Sequence, residues 1–278
     1  MIIWLASYPK SGNTLLRSIL ATYLYSNDGI VKFDYIYKIK QFPAIEDFKK
    51  LKINMSIEKE VFDNYIEAQK IINKDKKIKF IKTHSSLVKI NNSNFTDLNN
   101  SLGAIYIVRD PRNVVTSFAH HYNLSIDEAI NVMTDPERWL VKTSLLYKNF
   151  LGSWKINYNS WKQMKNRVLF IKYEDLVEKK KTTMIKIFKF IQNLGVDGFK
   201  PDMIKLNKVI KTSQFQKMQE LEKKGDFKEA VVENNTHKKK IFFKFGPKNN
   251  WRNILDSKRS KKIEEAFKEE MIELGYIN

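Results

Sequence analysis

The sequence predicts an α/β fold in three layers, a central mostly parallel sheet flanked by helices. Three observations point to it: apolar runs of strand length recur along the chain, each ends in a polar turn segment, and helical patterns fill the intervals. The first run is Ile2 to Ala6, followed by the turn formers Ser7-Tyr8-Pro9-Lys10-Ser11-Gly12 and a helix opening at Thr14, with Leu15, Ile19 and Tyr23 on one face. The second, Ile78 to Ile81, ends at Lys82-Thr83-His84. The third, Ala104 to Val108, ends at Arg109-Asp110-Pro111-Arg112 and feeds a helix in which Val114, Phe118 and Tyr122 share a face. The fourth, Val168 to Lys172, closes at Tyr173-Glu174-Asp175 and continues as helix to about Gln192. Runs that are apolar without alternation are what strands buried on both faces look like.

Residues 28–75 read as a helical, irregular insert between the first two strands, and 125–161 as helical with interleaved aromatics; both are placed to shape a pocket. Residues 221–240 are charged and poor in apolar side chains, which predicts a mobile excursion within a lid region at about 221–251. The whole of 1–278 is expected to form a single domain, since 42% hydrophobic residues suffice for one large core.

No window reaches the roughly 18 apolar residues of a membrane-spanning helix. The start runs into a turn motif without the basic region and cleavage site of a signal peptide, so a cytoplasmic location is expected. The absence of cysteine excludes disulfides, a thiolate nucleophile and Cys-ligated metal. A net charge of +19 implies attraction to anions: nucleic acid, a membrane surface, or a phosphorylated or sulfated small molecule. Charge alone does not choose among them, and a sequence rich in Lys, Ile and Asn is basic without needing a partner. The basic residues are scattered rather than clustered with aromatics, which argues against nucleic acid.

A loop between a strand and a helix N-terminus binds phosphate because backbone N–H groups and the helix dipole converge there. In this loop Lys10 adds a full charge, Gly12 permits close backbone approach, and Ser11, Asn13 and Thr14 offer further donors. It is not the nucleotide-triphosphatase loop G-x-x-x-x-G-K-[ST], because the first glycine is absent and Lys10 precedes Ser11. No magnesium carboxylate arrangement is evident, so no metal is expected. Arg109 presents a planar fork suited to phosphate oxygens, Ser117 follows on the next helix, and His84 at a strand end is a natural general base.

Ser7-Tyr8-Pro9-Lys10-Ser11-Gly12-Asn13-Thr14 resembles the 5'-phosphosulfate loop of the phosphoadenosyl-sulfate-dependent sulfotransferase family, usually written YPKSGTTW. Ile105 to Ser117 resembles the family's 3'-phosphate segment, and Lys82-Thr83-His84 its KTH. Phe170 to Leu176 is similar to the segment containing YEDL, which carries over Tyr173 as a nucleotide contact. Phe243 to Trp251 resembles the lid motif RKGxxGDW in part: Gly246 and Trp251 keep their spacing, Lys244 replaces Arg, Phe245 replaces Lys, and Asn249-Asn250 replace Gly-Asp. Thr212-Ser213-Gln214-Phe215 resembles the adenine-bordering TSF with one residue inserted, and Leu15 stands where many members have Trp. The KTH and the lid place the resemblance with the cytosolic-type enzymes.

The resemblance implies a P-loop-like fold and transfer of a sulfuryl group from 3'-phosphoadenosine 5'-phosphosulfate (PAPS), leaving adenosine 3',5'-bisphosphate (PAP). It implies that His84 takes the acceptor proton, that Lys10 neutralises the leaving oxygen, that Lys82 stabilises the sulfuryl group, and that Ser117 tunes Lys10. Lys10, Ser11, Gly12, Asn13 and Thr14 would hold the 5'-phosphate, Arg109 and Ser117 the 3'-phosphate, with Tyr173, Lys244 and Gly246 completing the donor site. No metal is implied. The acceptor is a small molecule, lipid or glycan bearing a hydroxyl or amine, and a homodimer is compatible with the pattern. The competing readings are a P-loop kinase-like enzyme, a non-catalytic nucleotide- or nucleic-acid-binding protein, and a member that binds PAP without transferring sulfate.

Overall fold

Side chains alternate across a strand, and in Ile2–Ala6 both sets are apolar, so this strand can be buried only between two layers. The computed structural model, which describes residues 1–196, 199, 201–225, 227, 229, 241–246 and 249–278, shows that arrangement. The strands are β1 (Ile2–Ala6), β2 (Lys79–Thr83), β3 (Lys89–Ile90), β4 (Ser93–Asn94), β5 (Ser101–Val108), β6 (Trp139–Leu140), β7 (Asn149–Phe150) and β8 (Val168–Lys172). Four of them form the central sheet in the order β2-β1-β5-β8, all parallel, with Ala6 opposite Thr83 and Tyr106, and Val108 opposite Lys172. The expected α/β fold with a parallel sheet between helices is therefore present.

Two cores cover the two faces. Ile2, Trp4, Ala6, Tyr106 and Val108 pack with Phe118, Trp154, Tyr158 and Trp161 on one side. Ile3, Leu5, Ile105, Ile107 and Ile171 pack with Leu16, Ile19, Leu20, Met184 and Phe188 on the other. A third cluster joins Val31, Phe33 and Ile36 of the insert to Met218, Phe227 and Phe243, tying the insert to the lid side of the molecule.

The first and fourth strands fall where the sequence places them, and the second lies at Lys79–Thr83, one residue later at its start. The third begins at Ser101 rather than Ala104 because tertiary contacts override weak strand propensity: Ser101 Oγ accepts from the Trp4 indole at 2.7 Å, and at Gly103 a Cβ would lie 2.6 Å from the Arg167 carbonyl oxygen. The insert consists of short helices, Phe33–Ile36, Ile45–Phe48, Glu58–Asp63 and Tyr65–Ile72. Residues 125–161 contain the helices Ile126–Thr134 and Trp154–Trp161, but between them β6 and β7 pair antiparallel, with Trp139 opposite Phe150. The region expected to be a mobile lid begins as the helix Phe215–Lys223, and its part at 230–240 lies outside the described residues. Among the described residues no helix is long and apolar enough to cross a membrane.

Candidate active site

Parallel strands aim their carboxyl ends at one edge of the sheet, and ligands of such sheets bind there. Lys10 follows β1, Lys82 and His84 end and follow β2, Arg109 follows β5, and Tyr173 follows β8. All five line a cavity of about 980 Å³, together with Gly12, Asn13, Thr14, Ser117 and Gly246.

The loop turns by backbone conformations that side chains rarely adopt. Gly12 has φ 102 and caps the Asn13–Tyr25 helix; a Cβ there would stand 2.3 Å from the Tyr173 ring, so glycine is required by both conformation and space. Lys10 has φ 67, a left-handed strain of the kind that persists at functional sites. Its carbonyl accepts from Arg109 Nη1 at 3.2 Å, and its ammonium lies 3.8 Å from the centre of the Phe242 ring. Burial, then the Arg109 and Lys82 cations, push the Lys10 pKa down to about 7.

Asn13 uses its side chain to brace the loop: Nδ2 donates to the Leu5 carbonyl at 2.9 Å and to Ser7 Oγ at 3.2 Å, while Oδ1 accepts from Arg17 Nε at 3.0 Å. Its backbone N–H, at a helix N-terminus, is the group left to meet an anion. Ser11 Oγ and Arg109 Nε are buried without a hydrogen-bond partner; Arg109 lines the cavity, where an orphaned donor fits a phosphate oxygen, whereas Ser11 is fully buried and does not line it. The Arg109 guanidinium lies over Tyr173, 4.3 Å from the ring centre, which fixes its plane.

His84 is half-buried just beyond β2. Its Nδ1 donates to the Ser7 carbonyl at 2.8 Å, with Ser7 Oγ at 3.3 Å, so Nε2 carries the lone pair. Asn157 Nδ2 donates to the His84 carbonyl at 2.9 Å and Trp161 Nε1 to the Ser85 carbonyl at 3.1 Å, so the Trp154–Trp161 helix holds this turn. Burial, then the neighbouring Lys82 cation, lower the His84 pKa to about 3 against the opposing Ser7 carbonyl, which keeps the imidazole neutral across the working pH range.

The lid end is docked by Asn249, whose Nδ2 donates to the Asn113 carbonyl and to Thr116 Oγ1, each at 3.0 Å. Trp251 N donates to Asn113 Oδ1 at 2.9 Å, and Arg112 lies over the Trp251 ring. Arg112 is otherwise engaged by Asp110 and Glu264, so it braces the lid rather than entering the cavity. Lys244 is exposed, 5.4 Å from the Phe245 ring centre, whereas Phe245 and Gly246 line the cavity. At Gly246, φ is 54 and a Cβ would meet the Phe215 ring at 2.3 Å.

Two residues to which the sequence assigned no role form a pair at the site: Glu229 lines the cavity and Arg17 stands behind it. Arg17 is 2% exposed, and Glu229 Oε2 lies 2.7 Å from its Nη2. An arginine in the run Leu15-Leu16-Arg17-Ser18-Ile19 of a core helix was the legible signal for the first, since a buried guanidinium needs a partner. Nothing local marks Glu229. Among the described residues no group of three or more His, Asp or Glu side chains is placed to hold a metal ion.

A parallel sheet with a loop at a helix N-terminus, a histidine and several cations at adjacent strand ends is the arrangement of an α/β protein with a cationic strand-end cavity. The family described as "Sulfotransferase domain" matches residues 2–275, and the chain belongs to that family. It is 25% identical over 275 residues to mouse sulfotransferase 1 family member D1 and equally to dog sulfotransferase 1B1, covering 97% of this chain and 83% of each relative. Two solved structures share the fold across 97% of the chain. One is a mouse sulfotransferase, SULT7A1, complexed with PAP, with TM-score 0.57, 20% identity and 83% of that chain covered. The other is retinol dehydratase in a complex with retinol and PAP, with TM-score 0.58, 17% identity and 81% covered. This chain is accordingly a sulfotransferase.

Proposed function

We propose that the protein transfers a sulfuryl group from PAPS to a hydroxyl or amine of a small-molecule, lipid or glycan acceptor, with His84 as the base. The observation that carries the reading is the convergence of Lys10, Lys82, His84, Arg109 and Ser117 on a single cavity. PAP in the related solved structures supports the identity of the nucleotide. Loop amides and Thr14 would bind the 5'-phosphate, and Arg109 with Ser117 the 3'-phosphate, while Tyr173 and Gly246 border the nucleotide. Lys244, exposed beside Phe245, would act as a peripheral charge at the lid.

In the transfer, the acceptor oxygen or nitrogen forms a bond to sulfur as the bond from sulfur to the phosphate oxygen breaks. The electron pair stays on that oxygen beside the Lys10 ammonium, and the acceptor proton goes to His84 Nε2. Lys82 offsets charge on the sulfuryl oxygens. Catalysis is then positioning and preorganised charge. Tyr37, Tyr122, Leu140, Val141, Leu145 and Leu146 also line the cavity, which favours an acceptor with an apolar body. The reading keeps the expectation of a single domain and a cytoplasmic location.

Incubation with sulfur-labelled PAPS and a panel of phenols, alcohols, sterols, sugars and amines tests the reading. Label should move to an apolar-bodied hydroxyl or amine; PAP binding without transfer to any class would overturn it.

The depressed Lys10 pKa gives a pH dependence. An arriving phosphosulfate favours the protonated ammonium and raises its pKa, so binding takes up a proton wherever free Lys10 has lost one. Burial, then Arg109 and Lys82, hold the free value down, and Glu229 and Glu222 oppose them. Donor affinity should therefore decline as pH rises from 7 to 9. Calorimetric titration with PAP in two buffers of different ionisation enthalpy should show proton uptake at pH 8; proton release there would contradict the assignment.

A further inference from the structure

Arg17 follows the phosphate loop by one helical turn. Its Nε is fixed by Asn13 Oδ1 at 3.0 Å, and its Nη2 lies 2.7 Å from both carboxylate oxygens of Glu229, a residue 212 positions away. Glu229 Oε2 also accepts from Thr14 Oγ1 at 3.4 Å and lies 4.0 Å from Lys82 Nζ. A single carboxylate thus ties together the helix that follows the phosphate loop, the carboxyl end of β2, and the segment that leads to Phe242 and Gly246. Arg17 is 2% exposed on the helix whose Leu16, Ile19 and Leu20 pack on the sheet, so its guanidinium is buried with Glu229 as its carboxylate partner. A buried ion pair is weak evidence for stability and is better explained by the arrangement it enforces.

We propose that Arg17 and Glu229 are positioning residues for sulfuryl transfer: Glu229, held by Arg17, sets the Lys82 ammonium for the transferring group and fixes the lid-side wall of the cavity against the phosphate loop. The inference rests on the proposed transfer from PAPS. The charges support it. Lys10, Lys82 and Arg109 line the cavity with Glu229, and Arg17 stands behind the carboxylate, so Glu229 offsets part of the positive charge gathered there. Burial works to raise the Glu229 pKa, but Lys82 and Arg17 outweigh it and hold the carboxylate ionised, at about 2. Lys82, pushed down by burial to about 8, is supported by Glu229 against Arg17.

The test compares wild type, Glu229→Gln, Arg17→Met and the double variant by thermal unfolding, PAP titration, and the pH profile of transfer from PAPS to the best acceptor of the panel. Wild-type binding and turnover report on the function; the ratios of variant to wild type report on the pair. In Glu229→Gln, kcat should fall about 10- to 100-fold while PAP affinity stays within about threefold. The double variant should be no worse than the poorer single one, because the two residues act as a unit. The alkaline limb of kcat/KM should move to lower pH in Glu229→Gln, since Lys82 and Lys10 both lose a charge that raises their pKa while Arg17 and Arg109 remain. Glu229→Asp should recover part of kcat. A Glu229→Gln protein that binds PAP more than about tenfold tighter with kcat retained would show that the carboxylate competes with the donor and overturn the proposal. A loss of melting temperature alone, with kcat and the pH profile unchanged, would overturn it as well.

Discussion

Replacing Lys10 with Met should lower kcat for sulfuryl transfer by about 10²- to 10³-fold, the range found when one preorganised charge-stabilising donor is removed. Methionine is an unbranched apolar side chain one atom shorter than lysine, so it can pack beside Phe242 while removing the charge. The loop should survive the substitution, because its shape is set by Gly12, by the Asn13 bonds to Leu5 and Ser7, and by the Arg109 bond to the residue 10 carbonyl, none of which uses the ammonium. PAP affinity should also lose part of its decline between pH 7 and 9, since one of the two cavity lysines that titrate there, Lys10 and Lys82, is gone. Steady-state kinetics with PAPS, paired with PAP titration at two pH values, checks both parts. A variant that retains full kcat would remove Lys10 from the chemistry.

His84→Asn should lower kcat by about 10²- to 10⁴-fold while PAP affinity stays within about threefold, which separates proton transfer from nucleotide binding. Asparagine is the informative replacement because its Nδ2 can keep the donation to the Ser7 carbonyl that Nδ1 makes at 2.8 Å, while Nε2 is lost. The pH behaviour of the wild type follows from the same environment. With a pKa lowered to about 3, His84 is in its basic form at every pH above that value in the free protein. The profile of kcat/KM, which reports the free enzyme, should therefore show no acidic limb from His84 between pH 5 and 7. Donor binding places negative charge beside the imidazole and raises its pKa, which makes the base stronger once the donor is in place.

The order of strands, turns and helices was legible in the sequence because β1 and β5 are buried on both faces and read as unbroken apolar runs. The loop after β1 was legible for a different reason: its turn formers, Pro9 to Gly12, are contiguous between an apolar strand and a helical pattern. What escaped depends on contacts between distant segments. β5 extends back to Ser101 through a bond to Trp4 and a close approach at Gly103, neither of which has a local signature. β6 and β7 have two residues each, too few for a period. Glu229 acquires its meaning only when the fold brings it to Arg17. The departure at Asn13 from the family's loop also becomes intelligible, since the asparagine amide links Leu5 and Ser7 to Arg17. At the lid, Lys244 stood in sequence where a phosphate-binding Arg is usual, yet its side chain is exposed while its neighbours Phe245 and Gly246 line the cavity.

The strand-end cavity should recognise a nucleotide carrying both a 5'- and a 3'-phosphate. Calorimetric titration of the full chain with PAP, alongside adenosine 5'-monophosphate, tests it most directly. PAP should bind with a micromolar Kd and about 10- to 100-fold more tightly than the monophosphate, and Arg109→Ala should abolish the difference, since the 3'-phosphate loses its charge-assisted bonds. Equal affinity for the two nucleotides, or no binding of PAP at about millimolar concentration, would contradict the account.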